Sequence, residues 1–147
     1  MNIRNSVKAI LIEQGKLLVS KYEDESEGIY YLLPGGGQNP GETLHQALIR
    51  ECLEETGLTV IPHELLFIRE CFMQADIHRV ELMFACQLQP DQAREQSAIA
   101  LDDKQIGIEW LPICDLLEQP LYPAMLREII LGHVGNKQAP IYLGQIF

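Results

Sequence analysis

Cations are scarce in this chain: 11 Lys and Arg stand against 21 Asp and Glu, a formal net charge of −10 at pH 7. That balance excludes nucleic-acid recognition through a basic surface, and an anionic small molecule would need a local metal ion and a few placed cations. Cysteines are few and dispersed. Cys52, Cys71, Cys86 and Cys114 form no C-x-x-C pair and match no histidine at zinc spacing, so they read as packing residues in a reducing compartment. No hydrophobic run approaches membrane-spanning length, and the opening MNIRNSVKAILIEQG enters a strand pattern without a signal-peptide core or cleavage site. The expectation is a cytoplasmic protein with no nucleic-acid or membrane partner. Repeats, linkers and low-complexity tracts are also missing, so the 147 residues read as one domain over 1–147.

What the chain does hold is one dense stretch, Gly36 to Leu58, reading GGQNPGETLHQALIRECLEETGL. A Pro-Gly-Gly-Gly turn at Pro34 to Gly37 and a second turn at Pro40-Gly41 precede a run from Thr43 to Thr56 free of glycine and proline, which predicts a helix. Thr43 suits the N-cap, Glu42 puts negative charge beside the helix start, and Gly57 suits a left-handed C-terminal residue. Leu44, Ala47, Leu48, Ile49, Cys52 and Leu53 cover more than half the circumference. That spread predicts a helix packed between two layers.

Glu51, Glu54 and Glu55 stand at i, i+3, i+4, on one side of the helix near its C-terminus. The helix dipole is negative there, and each like-charge neighbour costs roughly 0.2–0.5 kcal/mol. A bound cation would reverse the sign. Hard divalent ions take oxygen ligands, so clustered carboxylates beside a glycine turn with exposed carbonyls form a candidate cage. The triplet taken alone is as readily a solvated acidic face.

The full spacing is more specific: Gly36, five residues, Glu42, seven residues, then Arg50-Glu51-Cys52-Leu53-Glu54-Glu55-Thr56-Gly57-Leu58. It resembles the Nudix box, G-x5-E-x7-R-E-U-x-E-E-x-G-U, and matches every fixed position. Cys52 stands where a bulkier aliphatic is usual, and Asn39 where many members carry an acid. The resemblance implies an α/β fold, an α/β/α sandwich around a mixed β-sheet, and hydrolysis of a nucleoside diphosphate linked to another moiety. It implies Mg2+, with Mn2+ as a substitute, held by Glu51, Glu54, Glu55 and the Gly36 carbonyl. One of the three acids would also take the proton from the attacking water. Glu42 and Arg50 would form a structural ion pair, and Gly57 would end the helix.

Outside the box, Glu81, or Asp102 and Asp103, could supply a further acid, although each reads more readily as an ordinary exposed strand or loop acid. Lys21, Arg69 and Arg79 could meet phosphate. Tyr30, Phe72 or Tyr122 could stack a base but more commonly fill core, and His45 and His78 read as helix-surface and strand residues. No proline falls between Pro62 and Pro90, no tyrosine between Tyr31 and Tyr122, and no S-Q-P-W-P-F-P signature is present. Such markers accompany the ADP-ribose, dinucleoside-polyphosphate and NADH branches of the Nudix family, so the resemblance without them implies nucleoside triphosphates, nucleotide sugars or other diphosphates over those three. A nucleotide-sensing module without turnover is the alternative; such modules tend to lose box acids, and here all three are kept.

The remaining chain reads as strands over Ser6 to Glu13 and Lys16 to Tyr22, joined as a hairpin at Gln14-Gly15. Further strands are expected over Ile29 to Leu33, Thr59 to Ile61, Glu64 to Met73, Ile77 to Gln89 and Gly107 to Leu111. A polar loop spans Pro90 to Gln105. Pro123 fits the first turn of a C-terminal helix that runs to about Leu131 and ends at Gly132. The tail, Ala139 to Phe147, suits an edge strand or a homodimer contact.

Overall fold

The computed structural model describes residues 1–72, 76–91 and 104–147. Strand β1 (Asn2–Glu13) and strand β2 (Lys16–Asp24) meet at the Gln14-Gly15 turn as expected, yet only the base of that hairpin pairs, with Ile12 opposite Leu17 and Glu13 opposite Lys16. The two strands then part. β1 runs parallel to β6 (Ile77–Leu88), from Asn2 opposite Ile77 to Leu11 opposite Cys86. β2 instead lies between β3 (Gly28–Leu32) and β7 (Gln105–Pro112), antiparallel to both. β5 (Val60–Cys71) pairs antiparallel with β6, and β8 (Tyr142–Gln145) pairs parallel with β5. The sheet therefore has eight strands in the order β3-β2-β1-β6-β5-β8, with β4 (Gly35–Gly37) on β1 and β7 on β2.

Strand alternation divides the core into two layers. Val7, Ala9, Leu11 and Phe84 meet Ala47, Leu48 and Cys52 of helix α1 (Leu44–Thr56) on one face. Ile10, Val19, Phe67 and Met83 meet Leu126 and Ile130 of helix α2 (Met125–Val134) on the other. The α/β/α sandwich with a mixed sheet is thus the observed architecture.

Four expectations need correction. α1 is not packed between two layers: Ile49 and Leu53 are 36 % and 43 % exposed, because the helix lies on one sheet face and turns them to solvent. The Pro34 to Gly37 stretch is not a turn but leads into strand β4, which pairs with β1 at Gly35–Lys8, Gly36–Val7 and Gly37–Ser6. The two segments expected on either side of Pro62 are one strand, since register shifts between Pro62 and Phe67 absorb the break. α2 runs through Gly132 to Val134, with Gly135 at its C-cap and Pro123 just before the helix. A 3-10 helix, Ile113–Glu118, also precedes α2. Met73 and most of the Pro90 to Gln105 loop lie outside the described residues, while Gln105 itself opens β7. The tail forms the edge strand β8.

Gly35 shows why β4 is glycine. Its φ is +144°, and a Cβ there would sit 1.9 Å from the Val7 carbonyl oxygen. Gly41 also has positive φ (+87°), but a Cβ there would meet nothing within 4 Å. Gly35→Ala should therefore cost more than about 2 kcal/mol, and Gly41→Ala only about 1 kcal/mol. Urea midpoints check this; equal losses at the two sites would contradict the close approach of β4 to β1.

Candidate metal and phosphate site

Helix α1 is fixed at both ends by local chemistry. Thr43 Oγ1 accepts from Gln46 N at 3.1 Å, and Gln46 Oε1 accepts from Thr43 N at 2.9 Å, closing a capping box. At the other end Gly57, in the left-handed conformation, donates its N–H to Leu53 O. The connection from β4 is held by Arg50. Its Nε and Nη2 donate to Glu42 at 2.6 and 2.9 Å, and Nη2 donates to the Gly37 carbonyl at 2.9 Å. This two-pronged geometry is the strong form of a guanidinium–carboxylate contact. The Arg50 hydrogen bonds, then the Asn39 N–H, hold the Glu42 carboxyl below its usual pKa. Asn39 thus contributes through its backbone, which donates to Glu42 at 2.9 Å.

The three box acids share one side of α1 but lie in different surroundings. Glu55 is buried, 8 % exposed, and accepts from Ser20 Oγ at 2.5 Å, Tyr22 Oη at 3.1 Å and Gly35 N at 3.2 Å. Glu51 is half-buried against Gly36, where a Cβ would fall within 2.5 Å of the Glu51 carboxylate. Burial raises its pKa, outweighing the Arg50 hydrogen bond that opposes the rise. Glu54 reaches outward, with its side chain 49 % exposed. Arg50 Nη1 lies between the last two, donating to Glu51 at 3.0 Å and to Glu54 at 3.3 Å.

The sequence spacing therefore brings the acids to one side without converging them. Among the described residues, no three His, Cys, Asp or Glu side chains stand close enough to hold a metal as a group. The residues nonetheless fit a hard divalent cation by donor type: three carboxylates beside a strand with no side chains. The space between Glu51 and Glu54 already attracts positive charge, supplied here by Arg50 Nη1.

Glu81 is elsewhere. It is buried on β6, on the face that bears α2, and accepts from Arg69 Nε at 2.8 Å. Burial pushes its carboxyl up, yet the charges of Lys8, Arg69 and Arg79 together pull it below the usual value. Glu81, Arg69, Arg79, Lys8, Tyr122 and Phe147 line a cavity of about 460 Å³ that contains none of the box acids. Two of the three cations named as phosphate contacts thus meet there. Lys21 does not; its Nζ lies 3.9 Å from Glu109. Asp102 and Asp103 fall outside the described residues.

The aromatic candidates separate in the same way. Tyr30 stacks on Tyr22 at 5.2 Å, behind Glu55. Phe72 packs edge-on to His78, which itself meets Glu70 at 2.6 Å, and His45 packs on Phe84. Only Tyr122 faces the cavity, with Arg127 over its ring. Ser20, Tyr22, Lys8 and Phe147 are site residues that sequence spacing did not identify: the first three reach their places through strand pairing, and Phe147 lies in the tail beyond β8.

The NUDIX domain family matches residues 2–130 of the chain. An RNA pyrophosphohydrolase from Novosphingobium aromaticivorans is 42 % identical over 45 residues, 31 % of this chain and 28 % of that protein. Nudix hydrolase 8 of Arabidopsis thaliana is 28 % identical over 120 residues, 81 % of this chain and 30 % of that protein. The chain spans less than a third of either relative. In fold it is similar to the solution structure of the E. coli ORF135 protein, with a TM-score of 0.69 at 24 % identity, covering 95 % of this chain and 96 % of that one.

Arg50→Ala removes the contacts to Glu42 and the Gly37 carbonyl together. It should cost about 1–3 kcal/mol of stability as well as activity. Thermal melts check this, and an unchanged melting temperature would contradict the bracing role of the fork.

Proposed function

We propose a hydrolytic function from one premise: the chain belongs to the Nudix family. Nudix hydrolases use divalent metal ions. The reading for this chain is Mg2+-dependent hydrolysis, with Mn2+ as a substitute, of the pyrophosphate linkage of a nucleoside diphosphate joined to another moiety. The observation that carries it is the complete acid set Glu51, Glu54 and Glu55 beside the bare strand Gly35–Gly37. The similarity to an RNA pyrophosphohydrolase supports the same bond type.

Pyrophosphate esters resist hydrolysis because their anionic oxygens repel a nucleophile. A divalent ion, when bound, neutralises that charge and lowers the pKa of a coordinated water. Glu51 and Glu54 would hold it, with the Gly36 carbonyl, and Glu55 would contribute directly or through water. Three hydrogen bonds already hold Glu55, so its charge is fixed in place. Glu54, half-exposed and tied among the described residues to Arg50, is the acid freest to accept the proton of the attacking water. Glycine at 36 and 37 lets a phosphate come close to backbone. Arg50 keeps that strand in register with α1.

Among the described residues no helix is long and apolar enough to cross a membrane. Four free cysteines support a reducing, cytoplasmic setting, and exposed Ile141 and Tyr142 beside the β8 edge support a homodimer contact.

Glu54→Gln should lower Mg2+-dependent turnover by about 100-fold or more while leaving the melting temperature in place. A screen of nucleoside triphosphates, dinucleotides and nucleotide sugars, scored for phosphate and pyrophosphate release, checks this. Activity that survives excess EDTA, or an undiminished rate in the variant, would overturn the reading. Nucleotide binding with no turnover at all would favour the sensing module.

A further inference from the structure

Strand β2 changes chemistry along one face. Leu18, Ser20 and Tyr22 alternate onto the side of the sheet that bears α1. Leu18 packs in the apolar core with Ala47 and Leu48, but the next two residues of the stripe bring hydroxyls into a buried place, Ser20 at 0 % and Tyr22 at 6 % exposure. Strands β3 and β7 pair with β2 on either side, and the Tyr22 ring stacks on Tyr30 at 5.2 Å. Both hydroxyls are therefore fixed in position.

They donate to the same oxygen of Glu55. Ser20 Oγ meets Oε1 at 2.5 Å and Tyr22 Oη meets it at 3.1 Å, whereas Oε2 accepts, among the described residues, the Gly35 N–H alone, at 3.2 Å. A carboxylate offers about four lone-pair directions, two on each oxygen. Oε1 is thus filled, and Oε2 keeps one direction open beside the glycine strand. The main chain at Glu55 is held as well, since Gln105 Nε2 on β7 donates to the Glu55 carbonyl at 3.1 Å. Glu55 is gripped from β2, β4 and β7 together, and neither Ser20, Tyr22 nor Gln105 belongs to the box.

Resting on the metal-dependent hydrolase reading, we propose that Ser20 and Tyr22 are positioning residues that set which cation the site prefers. They hold Glu55 to ligation through Oε2 alone, which shifts the site from Ca2+ toward Mg2+. Ca2+ gathers about 6–8 oxygens in flexible geometry and readily takes both oxygens of one carboxylate. Mg2+ demands near-ideal octahedral geometry at about 2.0–2.1 Å, which the narrow bite of a chelating carboxylate does not fit. With Oε1 occupied by two hydroxyls, Glu55 has no second oxygen to give. Removing either hydroxyl returns one, and the larger ion gains.

Displacement of bound Mn2+ by Mg2+ and by Ca2+, followed through the free-ion electron paramagnetic resonance signal, gives the ratio of the two affinities without substrate or turnover. Ser20→Ala and Tyr22→Phe should each move that ratio toward Ca2+ by about threefold or more, and melting temperatures in EDTA establish that each variant folds. Tyr22→Phe keeps the ring and its stack on Tyr30, so the test stands even where Ser20→Ala does not fold. Val19→Ala, on the same strand but in the core that faces α2, should leave the ratio within about twofold, because lost packing alone weakens both ions together. An unmoved ratio in either folded hydroxyl variant, a move toward Mg2+, or an equal shift in Val19→Ala would overturn the proposal. Absence of Mn2+ binding in the unaltered chain contradicts the hydrolase reading and the proposal with it, whereas Mn2+ binding with an unmoved ratio contradicts the proposal alone.

Discussion

Three consecutive residues without side chains let β4 press against β1 on one side and α1 on the other. Each then serves a different box residue. Gly35 donates its N–H to Glu55, Gly36 leaves room for the Glu51 carboxylate, and Gly37 offers its carbonyl to Arg50. A Cβ at Gly35 or Gly36 would overlap backbone or carboxylate atoms. The arrangement of acids along α1 thus depends on a steric constraint in a strand that shares no turn with them.

Electrostatics follows from that packing. Like charges at a helix C-terminus oppose both one another and the dipole. The fold offsets this in two ways: Arg50 inserts a guanidinium among Glu42, Glu51 and Glu54, and Glu55 is satisfied by two hydroxyls and an N–H. The opposite sheet face carries the opposite sign, with Lys8, Arg69 and Arg79 around Glu81. One sheet therefore presents carboxylates on the α1 side and cations on the α2 side.

Local features were legible in the sequence because they depend on neighbours a few residues apart. Thr43 and Gly57 mark the ends of α1, and the Glu42–Arg50 contact joins the residue before its N-cap to its second turn. Less could be read where tertiary pairing decides. Ile49 and Leu53 look like core by composition, but α1 lies on one sheet face and, among the described residues, leaves them 36 % and 43 % exposed. Pro34 to Gly37 look like a turn, yet the absence of Cβ atoms at Gly35 to Gly37 is what allows those three to pair with β1 as a strand. Ser20 sits 35 residues from Glu55, and Lys8 25 residues from Leu33, so no spacing rule connects them. Glu81 reads in the sequence as a possible further acid from outside the box, and strand parity puts it on the face that bears α2.

The central claim is that the carboxylates of α1 beside the glycine strand hold a divalent cation. Titration with Mn2+, followed by loss of the free-ion electron paramagnetic resonance signal, tests it without needing a substrate. The account predicts saturable binding in the unaltered chain, greatly weakened by Glu51→Gln or Glu54→Gln and unaffected by Glu128→Gln on helix α2, across the sheet from α1. Binding that is absent, or equally strong in all three variants, would contradict it.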